Sequence, residues 1–468
     1  MIKKNDVLTE YVVDIGSNGE GIVKKDGLVI FLPFALIGEK VTFKVLKVNS
    51  KIAYGKLLEV ISPSQERVNA ICPVFTKCGG CSVQHLNYDS QLKFKKDNVV
   101  NCFNKIAGLK VGVDQCVCSD NQFRYRNKLQ LPVSFNGERT IIGFYAENSH
   151  RVVEIKDCPI NKEYTKTIIE IFNNFILENS FKGYSEITNS GDIREITVKE
   201  ISGNLIITVV WIRQQEKGIK GLINALKLAF GDNFSLFYNE NNKNTNVIYG
   251  EKFFLKHGLS EYTATRLGIK YSSGVLSFMQ VNDNVCDKLY SYVVEQVKGF
   301  APDTVIDAYS GAGLMTALLS KTAKKAIGIE IVKEATACAD LLAKNNGLQD
   351  KMFNLTGACE DLIPSVINKE KEMGNKVAIV LNPPRKGCDV NVINAILKSD
   401  IDKIVYVSCM PSTLARDVGL LLGSLKQVDG KIEKVDNYIP KYSINSIKTF
   451  DMFPQTKHVE TVVVLEKN

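Results

Sequence analysis

Apolar and polar residues alternate in short runs over the first 61 positions, with glycine-rich breaks between them. Runs at 8–15, 21–23, 28–32, 40–48 and 53–61 predict about five strands, separated by Gly16-Ser17-Asn18-Gly19, Lys25-Asp26-Gly27 and Gly38-Glu39. So many short strands in so little chain predict a small closed barrel of the OB-like kind, which often presents an oligonucleotide-binding face. A packing or protein-contact role fits the same barrel, because fold does not fix function. The polar stretch 62–66 reads as a linker. Residues 89–109 carry helical spacing in Leu92, Phe94, Val99, Phe103 and Ile106.

From 123 to about 256 strand-like runs dominate (128–133, 140–145, 193–201, 204–212), interrupted by helical stretches at 164–178 and 218–229. This predicts a second, α+β domain. After about 268 strands and helices alternate: helix 284–297, strand 304–307, helix 314–322, strand 326–330, helix 333–346, strand 377–381, helix 390–397, then strands 403–408 and 459–465. Such alternation predicts a Rossmann-like, doubly wound sheet with its site at the carboxyl ends of the strands. The expected organisation is a multidomain α/β chain with boundaries at 1–61, 62–267 and 268–468. The helix around 89–109 is free to pack on the last of these.

The 468 residues match about three domains at ordinary domain size. A chain with 45% apolar and 24% charged residues is expected to fold, which excludes wholesale disorder. No apolar run approaches the roughly 18 residues of a membrane span, and no secretory signal is visible, so a cytoplasmic protein with no membrane partner is expected. Lysine and arginine (59) exceed the acids (51), a net charge of +8 that suits RNA but also many other partners. Twelve cysteines are too few for a disulfide scaffold, yet Cys72, Cys78 and Cys81 share one loop and Cys158 precedes a proline. Four such cysteines can close either a tetrahedral zinc site or a [4Fe–4S] cluster, and spacing alone does not separate the two.

The run 304–313 is a strand leading into Gly311-Ala312-Gly313. It is similar to a dinucleotide fingerprint except that Thr316 replaces the third glycine, so a ligand without a pyrophosphate suits it better. S-adenosylmethionine is such a ligand. Asp307, Gly311 and Gly313 suit its methionine end, and Glu330, closing the next strand about 20 residues on, suits its ribose diol. Tyr309 stands near the sulfonium or adenine. A nicotinamide or nucleotide-sugar site is the alternative.

Cys409 ends the strand 403–408, and a helix is expected from about Ser412. The helix dipole there should lower the thiol pKa and favour thiolate, whereas the plain alternative is a buried structural cysteine. Glu460 opens an apolar strand, where partial desolvation makes a carboxylate a better base. Thiolate and base together suit methylation of pyrimidine carbon 5, which is not nucleophilic until something adds to carbon 6. Asn382-Pro383-Pro384 is also similar to a motif of methyltransferases acting on adenine amino groups, which need neither residue. Phe123-Arg124-Tyr125-Arg126-Asn127-Lys128 interleaves aromatic and basic side chains, so Arg124, Arg126 and Lys128 are candidates to hold RNA phosphates. Basic strand edges also serve simply against aggregation. His85 and His150 read as structural; His257 and His458 carry no assignment.

The strings FMQVN (278–282), DAYSGAG, NPPRKG, VSCMPSTLARD and DMFPQTKHVE occur in the order found in RNA uracil-5-methyltransferases, which the chain resembles over nearly its whole length. The barrel resembles a TRAM domain and, with the cysteine pattern, is similar to the 23S ribosomal RNA branch; the bacterial transfer RNA branch usually lacks both. The resemblance implies that Cys409 attacks uracil carbon 6 and Glu460 removes the carbon-5 proton. It assigns Gln280, Tyr309, Glu330 and Asn382 to S-adenosylmethionine, Phe278 to the RNA bases, and Cys72, Cys78, Cys81 and Cys158 to a [4Fe–4S] cluster. The family usually has aspartate at the position of Asn382; asparagine keeps the hydrogen-bonding shape and loses the charge. The expected partner is 23S ribosomal RNA, with its target uridine in a loop or flipped out, and the expected enzyme is a monomer. Action on transfer RNA, or a non-catalytic RNA-binding or ribosome-assembly role following from Asn382, are the alternatives.

Overall fold

The computed structural model describes residues 2–399 and 401–468. The N-terminal barrel has six strands: Val7–Tyr11, Asp14–Ile15, Gly21–Lys25, Leu28–Leu32, Lys40–Val48 and Ile52–Ser62. The expected strand 8–15 divides because it changes partners. Tyr11 stands opposite Lys40, whereas Asp14 stands opposite Ile22, so one continuous run joins both edges and closes the sheet. Alternation in Lys40–Val48 sends Val41, Phe43 and Val45 inward, where all are fully buried. The stretch after the barrel is tied down: Arg67 pairs with the buried carboxylate of Glu39 and donates to Phe34 O at 2.7 Å.

Helix Tyr88–Cys102 starts at an Asn87 cap, whose side chain accepts from Ser90 N at 2.9 Å. It continues as a wider π-turn, Phe103–Ala107, ended by Gly108 at φ 70°. The expected helix 89–109 is therefore present but not uniform. Val99, Phe103 and Ala107 are buried with the C-terminal sheet's core.

The central sheet has seven strands, in the order Lys252–His257, Phe234–Glu240, Asn204–Trp211, Ile193–Ile201, Lys128–Phe135, Thr140–Tyr145, Val152–Glu154. Helices Tyr164–Asn179 and Ile219–Phe230 cover one face of it. A hairpin, Glu261–Arg266 with Ile269–Gly274, then joins this unit to the next. Its Tyr262 and Ala264 pack with Ile206 and Phe237 of the central sheet, while its Ile269 packs beneath the C-terminal one.

The C-terminal sheet is ordered Met352–Thr356, Lys325–Glu330, Thr304–Ala308, Val377–Leu381, Lys403–Ser408, Glu460–Lys467, Tyr442–Phe450. Strands such as Val377–Leu381 are buried at every position, as strands covered on both faces must be. Helices Asp283–Phe300, Leu314–Leu319 and Lys333–Asn345 cover one face; Cys359–Glu372, Val390–Lys398 and Pro411–Leu422 cover the other. Helix Cys359–Glu372 has no counterpart among the expected elements, because Pro364 and a charged second half disguise its Cys359, Ile363, Ile367 stripe. Six strands run parallel; Glu460–Lys467 runs against both its neighbours. That reversal shapes the site.

Candidate active site

Because Glu460–Lys467 is reversed, its first residue lies at the same edge of the sheet as the last residue of Lys403–Ser408. Ser408 stands opposite Thr461, so Cys409 and Glu460, each one step beyond that pair, emerge together at the carboxyl ends of the parallel strands. Glu460 is 6% exposed, and burial raises its carboxyl to about 8, opposed by the charge of Arg385. The Cys409 thiol is also raised, first by burial and then by Glu460, with Arg385 acting against both. The expected depression by the helix dipole is thus corrected: desolvation and a neighbouring carboxylate outweigh the start of Pro411–Leu422. Two acids this close resist carrying two negative charges.

Arg385, which carries no separate signal in the sequence, is built into place. It follows Pro383-Pro384 in a loop clamped by Pro411–Leu422. Thr413 donates to Arg385 O at 3.1 Å, and Arg416 Nη2 donates to Lys386 O at 3.0 Å. The buried Asp417 accepts from Cys388 N at 2.8 Å and from Tyr406 Oη at 2.6 Å. Gly387, at φ 80°, passes so close that a Cβ would meet Arg416 and Asp417 at 2.5 Å. The Ala415-Arg416-Asp417 string therefore works as a brace for the Asn-Pro-Pro-Arg loop.

The glycine loop lies two strands away. Glu330 accepts from Gly311 N at 3.0 Å and, through its other oxygen, from Val332 N at 2.9 Å, which fixes its carboxylate at the strand end. Gly313 has φ 82°, and a Cβ there would lie 2.6 Å from that of Ala339. Asp307 is buried beneath the loop, raised to about 7 by burial. Tyr309 turns the chain at φ 65°, with its side chain against Cys388. Asn382 closes the adjacent strand, its N–H reaching Ala308 O at 3.4 Å. All of these converge on one edge of the sheet.

Phe278 and Gln280 sit on a loop held from the central sheet. Phe278 is 83% exposed. The buried Lys199 ammonium donates to the carbonyls of Gly274 (3.2 Å), Ser277 (2.6 Å) and Val275. Asn127 Nδ2 donates to Gln280 O at 3.0 Å, and its N–H to Val281 O at 3.0 Å. In the sequence both residues are legible only through the family resemblance, since neither periodicity nor spacing distinguishes them.

Cys72, Cys78, Cys81 and Cys158 line one cavity, as free thiols, with Arg126, Lys128, Arg385 and His458 also on its wall. Burial raises Cys72, Cys78 and Cys81, and the charge of Cys158 adds to the rise in each. Asn161 Nδ2 donates to Cys158 Sγ at 3.2 Å, and Gly80 N to Cys78 Sγ at 3.4 Å. Among the described residues no three His, Cys, Asp or Glu side chains converge on a point that would hold a metal ion. Arg124 is engaged inside the protein: it pairs with Asp157 through both nitrogens and donates to Cys158 O at 3.1 Å, so it shapes the Cys158 loop. Tyr125 is buried with its hydroxyl on Pro454 O. The interleaved stretch is thus half interior, with Arg126 and Lys128 on the cavity. His85 is buried between Phe34 and Phe75.

Among the described residues no helix is long and apolar enough to cross a membrane. The tRNA (Uracil-5-)-methyltransferase family matches residues 87–468, and the TRAM domain matches residues 6–58. An uncharacterized RNA methyltransferase of Clostridium acetobutylicum is 36% identical over 473 residues, spanning 100% of this chain and 98% of that protein. Another, of Halalkalibacterium halodurans, is 35% identical over 99% and 98% of the two chains. The crystal structure of Pyrococcus abyssi tRNA (uracil-54, C5)-methyltransferase with S-adenosyl-L-homocysteine is similar at TM-score 0.75 and 25% identity, over 98% of this chain and 99% of that one. With its paired cysteine and glutamate at the edge of a methyltransferase sheet, the chain belongs to the RNA uracil-5-methyltransferase family and carries an N-terminal TRAM domain.

Proposed function

We propose that the enzyme methylates carbon 5 of a uridine in 23S ribosomal RNA through a transient bond between Cys409 and carbon 6. The observation that carries this is the emergence of Cys409 and Glu460 side by side, with Arg385 against both. Sharing one negative charge between the pair lets Cys409 ionise while Glu460 holds its proton. The thiolate adds to carbon 6, and the ring electrons move toward carbon 5 and its neighbouring carbonyl oxygen. Glu330, Gln280, Tyr309 and Asn382, over the Asp307, Gly311 and Gly313 turn, would hold S-adenosylmethionine, whose sulfonium would give its methyl group to carbon 5 and leave as S-adenosylhomocysteine. Once the thiolate's charge has been spent, Glu460 gives its proton to solvent and then removes the carbon-5 proton, and the electron pair left behind expels Cys409 as thiolate and restores the double bond. Phe278 offers an exposed ring for bases beside the flipped uridine, and Arg126 and Lys128 offer charge to phosphates.

Four thiols around one cavity suit a cluster several atoms across better than a single ion, so Cys72, Cys78, Cys81 and Cys158 are read as holding [4Fe–4S]. Its expected part here is to fasten the Cys158 loop to the Cys72–Cys81 loop. Protein purified without oxygen should be brown and contain iron and acid-labile sulfide; stoichiometric zinc in a colourless preparation overturns this assignment.

The ribosomal target is favoured by the barrel together with the cysteine quartet. A second reading, transfer RNA, is favoured by the likeness to the Pyrococcus abyssi enzyme along nearly the full length of both chains. Methyl transfer to unmodified 23S ribosomal RNA and to transfer RNA, each with wild type and Cys409→Ala, separates them. Product on one RNA, lost with Cys409→Ala, identifies the substrate. Label on adenine, or full turnover by Cys409→Ser, overturns carbon-5 chemistry.

A further inference from the structure

The nine residues before Glu460 form a loop that takes its shape from distant parts of the chain. Gln455 is its pivot: 2% exposed and held at φ 72°, a left-handed conformation uncommon for residues with a Cβ. Its side-chain oxygen accepts from Gln91 Nε2 at 3.0 Å, and its N–H donates to Gln91 Oε1 at 3.0 Å. Its carbonyl accepts from Ser82 N at 3.1 Å and Val83 N at 3.2 Å. Ser82 follows Cys81 directly, and its hydroxyl accepts from Lys457 N at 2.7 Å. On the other side of the pivot the buried Lys95 pairs with Asp451 and donates to Phe453 O at 2.9 Å.

We propose that Gln455 is a positioning residue for Glu460, locking 451–459 onto the cysteine-bearing loop so that the four-cysteine site and the base are ordered as one unit. This rests on the assignments of Glu460 as base and of the four cysteines as the site of one cluster. Within the loop the backbone has few partners of its own, so its fixed shape depends on these outside donors and acceptors. Gln91 and Gln455 are both buried, so losing either partner leaves polar groups of the other bare. Because Ser82 and Val83 adjoin Cys81, any loosening of the quartet is passed directly to Gln455 and, five residues on, to Glu460.

Hydrogen–deuterium exchange of the full-length protein tests this without reference to turnover. Gln91→Leu should speed exchange across 451–459 by about tenfold or more, the size of a lost buried bond. Cys158→Ser, remote from the loop in sequence, should speed exchange in the same segment. S-adenosylmethionine affinity of Gln91→Leu should stay within about twofold while turnover falls, since the cofactor strand ends are untouched. Gln91→Glu, which keeps the acceptor for the Gln455 N–H, should lie between wild type and Gln91→Leu, and it supplies the comparison should Gln91→Leu not fold. Unchanged exchange at 451–459 in Cys158→Ser and in the Gln91 variants overturns the proposal, as does cofactor affinity falling in step with turnover. If wild type fails to methylate uridine, the reading of Glu460 fails, while the exchange result still decides whether the loop and the quartet move together.

Discussion

Thr316 donates its hydroxyl to Asp307 Oδ2 at 2.6 Å, from the position where a dinucleotide-binding loop would have its third glycine. The residue standing in for that glycine thus partners a carboxyl buried beneath the cofactor turn. Thr316→Val keeps the shape and removes the donor. It should lower stability by about 1–3 kcal/mol, the cost of a buried acceptor left bare, and weaken S-adenosylmethionine binding as the turn loosens. Thermal unfolding and cofactor titration measure the two effects.

The raised carboxyl of Glu460 sets the pH dependence of turnover. Since the Cys409–Glu460 pair must lose one proton before the thiolate can add, kcat/KM should climb with pH through about 8 and level off above it. In Glu460→Gln turnover should fall by about 100- to 10,000-fold, the range for a lost general base. Methylated RNA bound covalently through Cys409 should then accumulate, visible as a slow-migrating band on denaturing gels.

Stability should change with pH in the opposite sense. An acid whose pKa is raised on folding, here from 4.5 to about 8, holds its proton more tightly folded than unfolded. Its contribution is therefore complete below about 4.5 and is lost as pH rises through about 8. Glu460→Gln has no such loss. Its melting temperature should match wild type at pH values below 4.5 and exceed it increasingly up to about 8; parallel curves would count against burial as the cause.

Lys199 stakes three carbonyls on one ammonium, and those carbonyls belong to the loop carrying Phe278 and Gln280. Lys199→Met should raise the KM for RNA and the dissociation constant for S-adenosylmethionine together, because the proposed function gives Phe278 to the one and Gln280 to the other. Secondary structure should remain, since the strand Ile193–Ile201 keeps its pairing on both sides.

Asn382 occupies the end of the strand beside the one that leads to Cys409, and Asn382→Asp restores the charge usual in the family. A charged acceptor in place of a neutral one should raise kcat by about fivefold. Single-turnover methyl transfer measures it.

Much of this architecture is legible in sequence, because a doubly wound sheet announces itself through buried, unbroken strands such as Val377–Leu381 and through its glycine turn. Cys409 and Glu460 are legible for a related reason: each is a reactive side chain where an apolar strand meets a loop. What brings them together is not legible, since the reversal of Glu460–Lys467 is a matter of topology. Arg385 is masked by the two prolines before it, which read first as loop stiffness. The direction of the Cys409 shift is hidden for another reason: a dipole can be inferred from a helix start, while burial beside an acid depends on the folded arrangement. Lys199 and Gln455 act only through partners remote in the chain.

The bond between Gln91 and Gln455 joins residues 364 positions apart. On a ribosome adding about 5–20 residues per second, the second glutamine emerges about 20–70 s after the first. Throughout that interval the segment bearing Gln91 is already made, and the four thiols with most of their cavity wall, residues 72–161, are made before it or early within it, while Phe453, Thr456 and His458 of the same wall come last. The proposed cluster would therefore have an open side during synthesis, and the Cys409–Glu460 edge of the sheet can close only afterwards, over a segment already in place.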